Sequence, residues 1–435
     1  MNQPILQFIV TQNYKNLSLP QPVELDRLNI FIGSNGSGKS NFISCLKFLK
    51  DCLTTIPDES RGVSSFEDAV SKIGADRILD NSVESPAVIN FSYCFSQTLS
   101  SEQLHEKFST MLTLTLFVDR KKNKIIISQE FLCSGKDLNK LDSPPFYYYK
   151  FHDRELGKGA VSVYNIPGQN SGTHFEGLDN IPTNSLGLTI LPRLLEDSQY
   201  SPENTPAYRT RRDLVEFISK WQFYNANNMD LNQIRTSEPK IGGSDIYLSA
   251  SGDNLPLVLD NLIQENIDFE DSINQAMKSI LPKTRRLRPI RSGRLSLTVE
   301  WYFEDSKEPF YLSEMSDGTV RMLCWATILH SPVLPSLLVI DEPELGLHVS
   351  WMRILAEWIK RAARKTQIIV TTHSPDLLDH FTDCLENVYC FYSEDKTHFA
   401  MKALSKEILN PSLEEGWELG DLYRVGDPNV GGWPW

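Results

Sequence analysis

Three short runs are apolar almost without interruption and are bounded by turn-forming residues: Leu28-Asn29-Ile30-Phe31-Ile32, Leu337-Leu338-Val339-Ile340 and Ile368-Ile369-Val370. Runs of this length, rich in β-branched residues, predict buried strands. Between 112 and 118 apolar residues alternate with threonine, and a second strand pattern, 124–128, follows the polar turn Asp119-Arg120-Lys121-Lys122-Asn123. That pair predicts a hairpin, which 147–151 would extend into an antiparallel meander. Further strands are predicted at 88–95 and 295–303. Helical spacing appears at 41–50 (apolar at 42, 43, 46 and 49), 212–224, 254–264 and 320–329, with Asp253 or Asn254 placed to cap the third of these. Residues 164–184, rich in Gly, Asn, Pro, Ser and Thr, read as a loop.

The first buried run leads into Gly33-Ser34-Asn35-Gly36-Ser37-Gly38-Lys39-Ser40, with Asn41 opening the predicted helix. A strand, a glycine-rich turn ending in Gly-Lys-Ser, and a helix together form a phosphate loop. The glycines let successive backbone N–H groups curl around phosphate oxygens, Lys39 reaches the β/γ-phosphates, and the Ser40 hydroxyl supplies a Mg²⁺ ligand. The second run ends in Asp341-Glu342, an arrangement in which Asp341 holds Mg²⁺ and Glu342 polarises an attacking water. The third leads to Thr371-Thr372-His373-Ser374, where the imidazole of His373 is placed to contact a γ-phosphate. Ahead of the second run lies Ser316-Asp317-Gly318-Thr319, a turn that opens a helix and presents backbone N–H groups to an anion.

In this order the motifs resemble those of the ATP-binding-cassette ATPases, in particular the RecF/SMC/OLD-like soluble branch of ABC-type AAA proteins. The resemblance covers about 1–100 and 300–435. It implies an α/β, ABC-type P-loop NTPase with an antiparallel β-subdomain and a helical insertion, a lid or arm, between Walker A and the signature. The expected division is an N-terminal ATPase lobe at 1–165, the helical insertion at 166–290 and a C-terminal lobe at 291–435. ATP and Mg²⁺ are the implied cofactors. In that family the signature serine and glycine, here Ser316 and Gly318, close over ATP held by a second protomer, which implies a head-to-head dimer. Asp317 and Thr319 depart from the transporter signature, as does His348 in the loop after Glu342, where transporters usually carry an aspartate. Tyr14, in Asn13-Tyr14-Lys15-Asn16, is placed either to stack on adenine or as a plain surface aromatic, and Gln97 is the nearest candidate for the Q-loop glutamine.

Composition narrows the partners. Apolar residues make up 40% and charged residues 23%, ordinary for a globular chain. No apolar run approaches a membrane span, and the N-terminus lacks a signal core, so a soluble, cytoplasmic protein is expected. The seven cysteines form no C-x-x-C pair and are expected to be reduced. A net charge of −13 argues against a surface coated for nucleic acid, so any DNA contact is local. The best candidate is the stretch 283–294, where Lys283, Arg285, Arg286, Arg288, Arg291 and Arg294 make six of twelve residues basic, although these side chains equally suit a solvated face. A smaller basic cluster comprises Arg209, Arg211 and Arg212.

No heptad pattern or C-x-x-C hook occupies the long interval from Ser40 to Asp341, so no SMC-type coiled coil is expected. The residues after His373 are too few for a Toprim nuclease domain of the kind OLD-type relatives carry, so none is expected here and any nuclease is expected to be a separate polypeptide. Terminal Trp433 and Trp435 are expected to pack on a lobe or on a partner. The leading expectation is an ATP-gated clamp or sensor acting on DNA or on a partner effector such as a nuclease, in DNA repair or anti-phage defence. Two other readings stay open: a regulatory ATP-binding scaffold with little turnover, and a transporter ATPase subunit, which the signature and the long insertion disfavour.

Overall fold

The alternation of threonine with leucine along Ser109–Asp119 turns Leu112, Leu114 and Leu116 to one face, where each is fully buried. That face belongs to an eight-stranded antiparallel sheet, the framework of the first of two units into which the chain divides. The computed structural model describes residues 4–54, 63–96, 109–135, 146–155, 158–165, 174–196, 206–393 and 397–431. The first unit is Met1–Asp26, Asn35–Trp221 and Phe391–Lys402; the second is Arg27–Ser34, Gln222–Cys390 and Ala403–Trp435. The expected boundaries at 165 and 290 fall inside these units.

In the first unit the strand order is Leu17–Leu19, Leu6–Tyr14, Ala87–Phe95, Ser109–Asp119, Lys124–Gly135, Phe146–Glu155, Lys158–Asn165, His174–Pro182. The hairpin forms as its pattern predicts, with Asp119 opposite Lys124. The loop expected at 164–184 instead contains the strand His174–Pro182, paired with Lys158–Asn165 through Val161 and Leu178. As the outermost strand it draws its backbone bonds from one neighbour and does not need an apolar alternation. Helix Lys39–Thr54 shares an aromatic cluster with the sheet, the ring of Phe48 lying 5.7 Å from Phe91 and 6.2 Å from Phe66. The hydroxyl of Tyr93 donates to the carbonyl of Cys45 in that helix at 3.0 Å. Tyr14 is neither of the alternatives open in the sequence. It is fully buried, its ring 5.1 Å from Phe91 and its hydroxyl 2.7 Å from Ser44 Oγ, because the strand's register turns it into this cluster. Gln97 and Trp433–Trp435 lie outside the described residues.

Among the described residues of this unit, Glu130 is the carboxyl with no exposure at all. Glu130 accepts from the backbone N–H groups of Gly187 (2.5 Å) and Leu188 (3.1 Å), which open helix Gly187–Glu196, and from the hydroxyl of Tyr149. Burial pushes it up to about 7 against these three donors, which lower it.

The second unit is built on five parallel strands in the order Gln222–Asn225, Leu337–Asp341, Gln367–Thr371, Leu28–Ile32, Val388–Tyr392. Leu28–Ile32 and Gln367–Thr371 are buried at every position, as a sheet covered on both faces requires. The helix expected over 212–224 ends earlier, at Ser219, and Gln222–Asn225 forms the sheet's edge strand instead. The aromatic Phe223-Tyr224 pair suits a pleated surface, and the parallel partner Leu338–Ile340 supplies hydrogen bonds that local periodicity does not reveal. Asn254 occupies the N-cap of helix Leu255–Glu265, but its side chain accepts from Ser249 N–H at 2.8 Å instead of capping. The short helix Leu419–Val425 docks by Gly420, whose N–H donates to Asp379 Oδ1 at 2.7 Å; a Cβ there would lie 2.1 Å from the Pro375 carbonyl oxygen.

Two outcomes follow from the first unit. Phe91→Ala empties the centre of the aromatic cluster and is expected to cost about 3–5 kcal/mol in denaturant unfolding. Glu130 binds its proton more tightly in the folded chain than in an unfolded one, so its contribution is full below about pH 4.5 and fades as pH rises through about 7. Stability measured against Glu130→Gln is therefore expected to fall for the natural chain across that window, and a difference that does not change with pH contradicts it.

Candidate nucleotide site

The phosphate loop begins in the second unit and ends in the first. Gly33 and Ser34 continue the strand Leu28–Ile32; Asn35, Gly36, Ser37, Gly38, Lys39, Ser40 and Asn41 belong to the first unit. Gly36 and Gly38 have φ of 77° and 96°, the left-handed region that a side chain disfavours. A Cβ on Gly38 would lie 3.1 Å from Cβ of Phe399, a tight approach on top of the left-handed φ. The loop runs into helix Lys39–Thr54, with Phe42 N–H bonded to the Gly38 carbonyl at 2.9 Å. A helix N-terminus, a turn of glycine N–H groups and the buried side chain of Lys39, 6% exposed, fit a polyphosphate. Asn41 is tied back by its amide, which donates to Asn16 Oδ1.

In the second unit the structure brings together Asp341, Glu342 and His373, and adds groups that the sequence did not single out. Asn225, Asp341 and Thr371 stand side by side at the carboxyl ends of three neighbouring parallel strands. The amide of Asn225 donates to Asp341 Oδ2 at 2.5 Å, and the Thr371 hydroxyl donates to Oδ1. Each carboxylate oxygen has a lone pair left over, as a metal ligand needs. Glu342 follows with φ of 53°, unusual for a residue with a side chain and costing about 1–3 kcal/mol in general. Its N–H is anchored on the Thr371 carbonyl at 3.1 Å. Its Oε2 accepts from the Asn227 amide at 3.2 Å, and its Oε1 lies 3.7 Å from Nε2 of His373. Asn225, at the end of the edge strand, and Asn227, in the 3-10 turn Ala226–Asn228 after it, are not found by motif because the approach to them, 222–224, has the pattern of a helix end; the run Phe-Tyr-Asn-Ala-Asn, aromatics then amides, is the available signal.

The signature forms a helix N-terminus of the same unit. Ser316 is the N-cap of helix Asp317–Leu329, its side-chain oxygen accepting from Thr319 N–H at 3.3 Å. Gly318 packs against the turn after Glu342: a Cβ would lie 2.9 Å from the Trp351 ring and 3.4 Å from the Gly346 carbonyl. Arg235 donates to the Met315 carbonyl at 2.9 Å and pairs with Asp317, while Arg321 donates to the Ala226 carbonyl at 2.7 Å. The signature helix is therefore fastened to the segment that bears Asn225 and Asn227.

The basic stretch lies on the antiparallel hairpin of Thr284–Ser292 with Ser296–Phe303. Arg286 pairs with Glu270 at 2.5 Å, and Lys283 pairs with Asp305. Arg285, Arg288, Arg291 and Arg294 are exposed. Among the described residues, no helix is long and apolar enough to cross a membrane.

Comparison with known proteins agrees with this geometry. A solved SMC head bound to the C-winged helix domain of ScpA superposes with a TM-score of 0.50 at 12% identity, over 93% of this chain and 99% of that one, which shows a shared fold. A "Retron Vc95 probable ATPase" from Vibrio cholerae serotype O1 biovar El Tor is 20% identical over 382 residues, 81% of this chain and 67% of that protein. The family model described as "AAA domain, putative AbiEii toxin, Type IV TA system" matches residues 28–102 and 189–379, more than half of the sequence and both strand-end motifs. The chain belongs to that family of AAA ATPases, with the ABC-type architecture of an SMC-like head.

Proposed function

We propose that the chain hydrolyses ATP with Mg²⁺ as a dimer that sandwiches the nucleotide, and that this cycle drives a clamp or sensor. The observation that carries the reading is the cluster at the strand ends, where donors from Asn225 and Thr371 hold Asp341, a donor from Asn227 holds Glu342, and His373 Nε2 lies 3.7 Å from Glu342. In this reading Lys39 and the N–H groups of Gly33, Ser34, Asn35, Gly36, Ser37 and Gly38 would hold phosphate, and Ser40 and Asp341 would hold Mg²⁺. Mg²⁺ would neutralise charge developing on the phosphate oxygens. Glu342 takes the proton of the attacking water, and His373 contacts the γ-phosphate end of the site. Ser316 and Gly318 present their helix N-terminus to the nucleotide of the partner protomer.

The output is an action on DNA or on a separate effector such as a nuclease, in anti-phage defence or DNA repair. The retron membership in the relative's name supports the defence setting. Exposed Arg285, Arg288, Arg291 and Arg294, beside the ion-paired Arg286, form the local basic surface available to DNA on a chain of net charge −13.

Glu342→Gln keeps the shape of the site and removes the base. It is expected to lower ATP turnover at least 100-fold and, with ATP and Mg²⁺, to double the mass seen by light scattering. Undiminished turnover, or a monomer at saturating ATP, contradicts the proposal. Asn227→Ala leaves phosphate binding intact but frees the Glu342 carboxylate, so kcat is expected to fall about tenfold, about 1.4 kcal/mol of barrier, with little change in ATP affinity. If DNA stimulates turnover, replacing Arg288, Arg291 and Arg294 by alanine is expected to abolish the stimulation while leaving the basal rate.

A further inference from the structure

The turn after Glu342 contains a second carboxylate that the mechanism above does not use. Oε1 of Glu344 accepts three hydrogen bonds from the segment that bears the histidine: from the Thr372 hydroxyl at 2.7 Å, the His373 N–H at 2.9 Å and the Ser374 N–H at 3.2 Å. The Thr372 hydroxyl also receives the Ser374 N–H at 3.0 Å, so the three residues close on one oxygen. Oε2 is sealed from solvent and has no hydrogen-bond partner among the described residues. Burial raises the pKa of this carboxyl, and its donors only partly offset that. A buried carboxyl with an orphaned oxygen costs stability in general, and such groups persist where a function holds them.

The placement explains what is gained. Immediately after His373, Ser374 caps the short helix Pro375–Leu378, and Thr372 N–H bonds to the Phe31 carbonyl at 3.1 Å. Backbone on either side of the histidine is therefore fixed by secondary structure. Between these two anchors Glu344 accepts from Thr372, His373 and Ser374, the residue on each side of the histidine and the histidine itself. Glu344 stands two residues after Glu342, so one rigid turn, with Pro343 between the two acids, carries both the carboxylate facing His373 and the carboxylate holding its backbone.

We propose that Glu344 is the positioning residue of His373: by gathering the Thr372 hydroxyl and the His373 and Ser374 N–H groups on one oxygen it holds the half-buried imidazole 3.7 Å from Glu342, and it links the turn after Glu342 to His373. The inference rests on the reading of Glu342 and His373 as parts of the hydrolytic site. In this proposal Glu344 acts through His373 and not on the reacting atoms.

The test is a double-mutant cycle on the full chain, with kcat and ATP affinity measured separately. Glu344→Ala is expected to lower kcat at least tenfold with less than a twofold change in ATP Kd. In a His373→Ala background the same change is expected to cost less than twofold, because the residue it positions is gone. Glu344→Gln, whose amide oxygen still accepts from both N–H groups, is expected to restore at least half of kcat. Glu344→Asp, shorter by one methylene, is expected to behave like the alanine variant in a fully folded chain, and it takes over the cycle if Glu344→Ala does not fold. Equal losses in the two backgrounds, or a loss of ATP binding parallel to the loss of turnover, overturn the proposal. His373→Ala with undiminished kcat refutes the reading of His373 itself and the inference with it, an outcome recognisable from that single variant.

Discussion

The site depends on placing two carboxylates at the carboxyl end of a buried strand without leaving them unpaired. Half-buried acids carry a heavy desolvation cost unless donors reach them. Here the parallel register supplies the donors. Asn225, Asp341 and Thr371 stand abreast on three adjoining strands, so an amide and a hydroxyl meet the two oxygens of Asp341 from opposite sides. A crevice at the carboxyl ends of parallel strands is where open α/β sheets bind ligands, and the other functional groups of this unit collect there. Glu342 leaves the sheet through a left-handed backbone step, and Gly33 begins the phosphate loop at the end of Leu28–Ile32, the neighbour of Gln367–Thr371.

Much of this was legible in the sequence, because the informative signals are local. A parallel strand buried on both faces is apolar at nearly every position, and the runs at 28–32, 337–340 and 368–370 announce themselves that way, the one polar residue, Asn29, donating to the Ile368 carbonyl at 3.1 Å. The antiparallel meander was legible for the complementary reason, one face in and one face out along Ser109–Asp119. What was not legible depends on pairing partners distant in sequence. Gln222–Asn225 continues the chain from a helix and becomes a strand because Leu338–Asp341 lies beside it, and His174–Pro182 is ordered by an edge, not by its composition. Tyr14 shows the same limit: its neighbours in sequence are polar, while its neighbours in space are Phe91 and Ser44.

The candidate site divides along the same line. Lys39, Ser40, Asp341, Glu342 and His373 follow from motifs, since their spacing to a strand end is fixed by local geometry. Asn225, Asn227 and Glu344 orient those groups and have no spacing rule of their own. The signature turn bridges the two cases. Ser316 was visible as a helix cap, but the Arg321 contact that ties its helix to Ala226 appears only in three dimensions. That fastening gives the signature a physical route to the carboxylates: contact at the helix N-terminus bears on the segment whose amides hold Asp341 and Glu342.

The central claim is that one copy's phosphate loop is completed by another copy's signature, and mixing two crippled chains tests it most directly. Lys39→Ala removes phosphate binding, and Ser316→Arg blocks the signature surface. Each alone is expected to be inactive, while a mixed dimer contains one site built from an intact Lys39 and an intact Ser316. The account predicts that ATP turnover reappears on mixing and rises with the fraction of mixed dimer. Two inactive chains that remain inactive together at every ratio, although shown to associate, would contradict it.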